Sequence, residues 1–277
     1  MTRLIETSAK RRRALRISAC LALVLAAVVS IGATSPNAPQ TRVVVATYNI
    51  RHGRGMDDSV RLTRTGEAIR ALGADIIGLQ EVDSVVPRSG SRDEAHALGE
   101  QLGMEQRFGR FMAYQGGAYG MAILSRFPIR RSHALRLPDG NEPRIALLAE
   151  VELPSGARVL VANVHFDWVA NDSFRVAQVH ALAAVLDTVQ LPTILLGDFN
   201  DVPGTRTLAR FQSRFRVAAK PDADHFTFSS TDPVKEIDHI LLAPAAAWRP
   251  AQARVISDRI ASDHRPVVAA VELIARR

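Results

Sequence analysis

Residues 194–200, Ile-Leu-Leu-Gly-Asp-Phe-Asn, end an apolar run on a glycine and then present a carboxylate, Asp198, and a carboxamide, Asn200. Alternation along an extended chain points those two side chains the same way and turns Phe199 toward the core. Residues 262–264, Ser-Asp-His, place a carboxylate directly before an imidazole, ahead of the apolar run Val267–Val271. Three more polar stations follow the same plan: Asn49 after Val43–Tyr48, Glu81 after Ile76–Gln80, and Asp238 inside Ile237–Leu242. A carboxylate at the mouth of a buried strand is costly unless it grips something. Oxygen-rich stations beside an imidazole suit a hard divalent cation and the hydrolysis it assists. The chemistry expected is that of a metal-assisted hydrolase.

The ordered set Tyr48-Asn49-Ile50, Leu79-Gln80-Glu81-Val82, Asn163-Val164-His165, Gly197-Asp198-Phe199-Asn200, Ile237-Asp238-His239 and Ser262-Asp263-His264 resembles the endonuclease/exonuclease/phosphatase superfamily. Its members include DNase I-like nucleases, abasic-site endonucleases, neutral sphingomyelinases and inositol-polyphosphate phosphatases. One such tripeptide recurs by chance; six in family order, each after an apolar run, do not. The resemblance covers roughly residues 42 to 273. It implies a four-layer α-β-β-α sandwich of the α/β class, with two mixed sheets face to face, helices outside, and the active site along one edge.

It also implies roles. Glu81 is the leading metal ligand, with Asn49 and Asp263 close by, and the cofactor expected is Mg²⁺ or Mn²⁺. Asp198 orients or deprotonates the attacking water. Asn200 donates to a phosphoryl oxygen or holds Asp198 in place. His264 contacts the scissile phosphate, stabilising charge or moving a proton. Its other nitrogen needs fixing, a task the resemblance gives to Asp238. Independently, a lone carboxylate in an apolar strand needs a partner. His165 resembles the family's second phosphate-contacting histidine. The abasic-site endonucleases carry a tyrosine in a different local pattern at this station, which argues against a repair enzyme. Arg144, in Glu142-Pro143-Arg144, suits a phosphate clamp because guanidinium forks onto phosphoryl oxygens; a surface arginine before a strand fits equally. Arg51, Arg54, Tyr114, Tyr119 and Trp168 fit the cleft, the surface or the core alike.

Behind these stations strands alternate with helices. Strands are expected over Val43–Asn49, Asp75–Gln80, Tyr119–Leu124, Ile145–Leu153, Arg158–Val164, Thr193–Leu196, Ile237–Leu242, Ala253–Ser257 and Val267–Val271. Helical spacing runs over Val60–Leu72, Arg92–Leu102, Phe174–Val189 and, briefly, Gly204–Phe211. Pro154-Ser155-Gly156 marks a hairpin turn. Arg175 and Gln178 share a helix face, one turn apart, and are expected to tie down the His165 loop. The element order of the second half tends toward that of the first. Hairpins mixed with crossover helices also lead to two mixed sheets covered by helices.

The 277 residues, 47% of them hydrophobic, are enough for one sizeable core. Lys10–Arg16 is strongly basic, Ile17–Ala33 carries no charge, and Thr34–Gln40 holds two prolines. This is the build of an export signal or signal anchor. Residues 1–40 are therefore expected to be leader and spacer, and 41–277 the hydrolase domain. The domain would face outward from a membrane anchored through residues 17–33, or be secreted or periplasmic after cleavage. The net charge of +7 belongs mostly to that leader. Setting aside its six basic residues and one acid leaves 29 basic against 27 acidic residues, or +2, which removes bulk charge as an argument for nucleic acid. Cys20 is the only cysteine, so the domain has neither an internal disulfide nor a thiolate metal site.

The function expected is a divalent-metal-dependent phosphodiesterase acting outside the cytoplasmic membrane. Alternatives are a nuclease on DNA or RNA, a sphingomyelinase-like lipid phosphodiesterase, or a non-catalytic binding protein retaining the fold. The partner is a phosphoester: nucleic acid, phospholipid head group or soluble diester. No protein partner is evident.

Overall fold

The structure is a computed structural model and describes residues 41–274. The leader expected over residues 1–40 lies outside them. Among the described residues no helix is long and apolar enough to cross a membrane.

Six strands form the first sheet, in the order β11 (Ala253–Val255), β12 (Val267–Leu273), β1 (Thr41–Asn49), β2 (Ile76–Ser84), β4 (Gly117–Ser125), β3 (Glu105–Tyr114). The second, also of six, runs β5 (Ile129–Arg136), β6 (Ile145–Glu152), β7 (Arg158–His165), β8 (Thr193–Asp198), β10 (Asp238–Ala243), β9 (Arg216–Val217). Each sheet has one parallel pair at its centre. Helix α1 (Leu62–Ala71) connects β1 to β2, and α3 (Ser173–Leu186) connects β7 to β8. The antiparallel neighbours correspond as well: β12 and β4 flank the first pair as β6 and β10 flank the second. The tendency toward a repeated element order is thus a repeated topology.

Three apolar cores account for the layering. Val43, Val45, Ile123 and Val271 of one sheet meet Leu147, Val161, Leu196 and Ile240 of the other in an apolar central layer. On the first sheet's outer face, Ile77, Leu79 and Leu124 pack under Leu62 and Ile69 of α1 and Leu98 of α2 (Glu94–Leu102). On the second sheet's outer face, Leu148, Ala162 and Leu195 pack under Val179, Leu182 and Leu186 of α3. Strands buried on both faces read as continuous apolar runs, which is why the sequence marks them. The edge strands β3 and β5 carry no such mark. Positions 130–134 of β5, Arg-Arg-Ser-His-Ala, are all exposed, and β3 buries only Gly109 and Phe111.

One polar bridge crosses the central layer. Asn163 of β7 donates from Nδ2 to the carbonyls of Leu79 and Ala122 in the opposite sheet, at 2.9 Å each. Its Oδ1 accepts from Gln80 Nε2 at 2.6 Å, and the same Gln80 nitrogen donates to Thr47 Oγ1 at 3.0 Å. Gly78 makes the approach possible, since a Cβ there would run into Leu196 and Asn163. The bridge lies one residue before Glu81 and two before His165, so it fixes the gap between the sheets where the polar stations emerge. Strand register brings these to one edge: Asn49 pairs with Gln80, His165 with Asp198, and Asp198 with Asp238.

Replacing Asn163 with alanine strands buried carbonyls and the Gln80 amide in an apolar layer. We expect Asn163→Ala to lower unfolding stability by about 2–4 kcal/mol, read as a urea midpoint shift at unchanged slope. A change below about 0.5 kcal/mol, the range of neutral surface substitutions, would show that the bridge does not hold the sheets.

Candidate active site

Glu81 does not end its strand as the sequence suggests. Strand β2 continues to Ser84, and the register with β4 slips between Gln80 and Val82, leaving Glu81 as the extra residue of a bulge. Its φ of 57° lies in the left-handed region, which costs a side chain of this kind on the order of 1 kcal/mol or more. A bulge re-aims a side chain, and here it turns the carboxylate into a cleft of about 470 Å³. Asn49 Nδ2 reaches Glu81 Oε1 at 3.0 Å and Asp198 Oδ2 at 3.2 Å. One carboxamide therefore spans carboxylates from both sheets.

Asp198 is buried at the end of β8. Gly197 before it has φ 149°, and a Cβ there would strike the carbonyl of Val164. Asp198 Oδ1 accepts from the backbone N of Asn200 at 2.8 Å. Asn200 holds φ 49°, and its Nδ2 donates to Phe166 O at 3.0 Å. Its backbone N–H, not its carboxamide, thus steadies Asp198, while Phe199 turns into the outer core as alternation requires. Burial raises the Asp198 pKa to about 7, against the pull of the nearby His264 charge.

His264 Nδ1 lies 3.0 Å from Asp238 Oδ2, and its Nε2 lies 3.6 Å from Asp198 Oδ2. Burial opposes charge on this ring, yet Asp238 and Asp198 overcome it and raise its pKa to about 10. It is an imidazolium at neutral pH. His165 takes the opposite state: burial, with the Arg144 and His264 charges, holds its pKa well below the usual value. Arg144 Nη1, only a donor, lies 3.5 Å from His165 Nδ1, which leaves the His165 proton on Nε2, 3.5 Å from Asp198 Oδ2. Arg144 is buried, pairs with Glu142 at 3.1 Å and lies 5.2 Å over the Phe111 ring. Its Nε has no hydrogen-bond partner among the described residues.

All nine residues singled out by the sequence meet at this edge. Glu81, Arg144, His165, Asp198, Asn200, Asp263 and His264 line the cleft, with Asn49 and Asp238 bonded to them. Tyr119 and Trp168 line it too. Arg51 reaches Asp263 at 3.6 Å, whereas Tyr114 receives the Arg88 guanidinium at 4.3 Å. Phe228 and Lys235 also line the cleft, unannounced by any motif, as does Glu142, which the sequence offered only as a neighbour of Arg144. Lys235 is one of two lysines after residue 40.

The donors are carboxylates, carboxamides and imidazoles, which fit a hard divalent cation. Asp198, Asp238 and His264 offer ligand atoms within 4.8 Å of one another, and Asp238 Oδ1 lacks a partner among the described residues. A cation centred on that trio would have to displace the His264 proton.

Sheets stacked with helices outside, and a carboxylate–imidazole cleft at their strand ends, define the architecture of the DNase I-like hydrolases. The chain belongs to the Endonuclease/Exonuclease/phosphatase family, whose model matches residues 46–264. It is 29% identical over 247 residues to the uncharacterized protein YbhP of Escherichia coli K12, covering 83% of this chain and 96% of YbhP. An endonuclease/exonuclease/phosphatase family protein from Bacteroides thetaiotaomicron superposes with TM-score 0.71 at 20% identity, covering 86% of this chain and all of that one. A mannosyl-6-phosphatase from the same species superposes at 0.68 with 21% identity, covering 83% and 99%.

Asp238→Asn removes the charge that faces His264 Nδ1 while burial stays. In metal-free protein, we expect the imidazole resonances of wild-type His264 to remain protonated through pH 8. In the variant they should titrate below that pH. A variant still protonated at pH 8 would assign the raised pKa to Asp198 instead.

Proposed function

We propose that this protein is a divalent-metal-dependent phosphodiesterase. The observation that carries the reading is the convergence of the buried His264 imidazole, held by Asp238 at 3.0 Å, on the buried Asp198 carboxylate, 3.6 Å from its other nitrogen; burial raises the pKa of that carboxylate toward neutrality. A group with such a pKa takes a proton from water and gives it up again at the operating pH. In this reading Asp198 accepts that proton, and the Asn200 backbone and Asn49 carboxamide hold its orientation. His264, fixed through Asp238, presents Nε2–H to a phosphoryl oxygen or to the departing alkoxide. His165 Nε2–H and Arg144 supply further donors for the phosphoryl group. The cation, Mg²⁺ or Mn²⁺ held by Glu81 with Asn49 and Asp263 near, would supply Lewis-acid stabilisation of charge on phosphorus-bound oxygens.

Cleft charge favours a diester over a monoester. Glu81, Glu142, Asp198 and Asp263 line the cleft, with Asp238 behind, against the cations Arg144, Lys235 and His264. One divalent ion brings this set near balance, which suits a monoanion better than a dianion. The mannosyl-6-phosphatase likeness makes monoester cleavage the competing outcome. We extend the proposal to location: Lys10–Arg16 followed by Ile17–Ala33 would deliver the domain outside the cytoplasmic membrane. A full-length cytoplasmic protein on fractionation, unaffected by removal of residues 1–35, would refute that extension.

Activity should be measured with and without chelator on plasmid DNA, RNA, sphingomyelin, inositol phosphates and a chromogenic diester. We expect diester cleavage that is lost on chelation and restored by Mg²⁺ or Mn²⁺. His264→Ala should lower kcat/KM by about 10²–10⁴-fold. Adding Asp238→Asn to it should cost little more, because the two act as one unit. Glu81→Gln should weaken metal binding, while the His264 and Asp238 variants keep it. Activity surviving thorough chelation would refute the metal assignment. Inactivity on every phosphoester would favour a binding protein that retains the fold.

A further inference from the structure

Trp168 is 58% exposed, although indole side chains are on average among the better buried. The segment that carries it is tied down on both sides. Asp167 is fully buried; its Oδ1 accepts from Val169 N at 3.1 Å and its Oδ2 from Asn141 N at 2.7 Å. Its own N–H donates to Gln178 Oε1 at 2.9 Å. Arg175 Nη1 donates to the carbonyls of Asp167 at 3.0 Å and Val169 at 2.6 Å. The residues on either side of Trp168 are thus fixed while the indole stands free. The same bonds reach the connection between β5 and β6, through Asn141 and through Gln178 Nε2 to Pro138 O at 3.2 Å. That connection carries Glu142 and Arg144, which line the cleft beside Trp168.

An aromatic side chain left uncovered on a backbone already fixed has only its own rotamers to order on binding, which lowers the cost of using it as a recognition platform. Apolar contact next to the cleft is continued by Phe228, whose ring centroid lies 4.9 Å from that of His264. A cleft of about 470 Å³ has room for a phosphate and one ring. Glu142, its side chain 35% exposed, offers a carboxylate to N–H or O–H groups at a ring's edge.

We propose that Trp168 forms a subsite for one alcohol of the substrate diester, and that this alcohol carries a ring whose apolar face packs on the indole. Glu142 reads the polar edge of that ring. A nucleobase and a pyranose share such a face, and the substrate arms below separate them. The proposal rests on the phosphodiesterase reading, and the experiment separates failure of the one from failure of the other.

Hydrolysis of a 3′,5′-linked dinucleotide, a sugar phosphodiester and glycerophosphoethanolamine, which has no ring, should be followed by ³¹P NMR in wild type, Trp168→Ala and Trp168→Phe. Wild type should prefer one of the ring-bearing diesters, and that preference names the ring. Trp168→Ala should lower kcat/KM on it about tenfold or more, chiefly through KM, with less than a twofold change on glycerophosphoethanolamine. Trp168→Phe should recover most of the loss. Equal losses on all three diesters, or none on any, would overturn the subsite. If wild type cleaves none of them, the phosphodiesterase reading fails and calorimetry decides the subsite. Adenosine monophosphate or mannose 6-phosphate must then bind more tightly than glycerol phosphate, and at least fivefold more weakly to Trp168→Ala. Equal affinities would overturn it.

Discussion

Asp238 and His264 hold opposite charges 3.0 Å apart, with 1% and 5% of their surfaces exposed, and they come from different sheets. Asp238 opens β10 of the second sheet, whereas His264 stands ahead of β12 in the first. Charges taken this far out of water are tolerable only when paired in good geometry. The seam between the sheets therefore has to close to within an ångström or so at this edge. The other contacts of the site obey the same requirement. Asn49 of the first sheet reaches Asp198 of the second, and Asn163 of the second reaches two carbonyls of the first. The central apolar layer supplies cohesion without direction. The Asn163–Gln80–Thr47 bridge supplies the direction, since hydrogen bonds to two carbonyls on neighbouring strands admit one placement of the sheets.

The repeated topology shows what each half contributes. Strands β1 and β7 occupy equivalent places and end in Asn49 and His165, while β2 carries Glu81 at its bulge and runs on to Ser84, and β8 ends at Asp198. One half thus offers an amide and a carboxylate, the other an imidazole and a buried carboxylate. The halves differ most at Glu81, where a bulge and a left-handed backbone replace regular pairing. Regular alternation would place positions 80 and 81 on opposite faces of the sheet. Gln80 is needed in the bridge between the sheets, so Glu81 reaches the cleft through the irregularity. The backbone strain stored there follows from asking adjacent residues to do unlike things.

Much of this was legible in the chain. Strands buried on both faces announce themselves as apolar runs, and polar residues at their ends stand out because they contradict the run. Asp198, Asp238 and His264 are conspicuous for that reason. Arg175 and Gln178 were readable as ties because helical spacing puts them on one face. The edge strands β3 and β5 were not readable, since a strand with solvent on most of its surface loses the period that marks it. Nor was the bulge: nothing in Gln-Glu-Val signals a positive φ. The burial of Arg144 depends on Phe111, Glu142 and His165 converging from separate elements, and Phe228 and Lys235 reach the cleft from an irregular connection. Those are products of tertiary structure alone.

The opposite protonation states of the two cleft histidines follow from what stands behind each ring. His264 has Asp238 at its rear nitrogen, which with Asp198 overcomes burial and makes it a cation; His165 is held neutral by burial first and by Arg144 at its rear nitrogen second. Both present Nε2 toward Asp198, so a buried carboxylate faces one charged donor and one neutral donor across nearly equal distances. If both rings were charged, Asp198 would be held ionised and would lose its capacity to take a proton near neutral pH. If both were neutral, burial would keep it protonated. The mixed pair leaves Asp198 between these limits, with a pKa of about 7. Arg144 thus adds to burial in keeping His165 neutral, and through that ring it bears on the charge balance around Asp198.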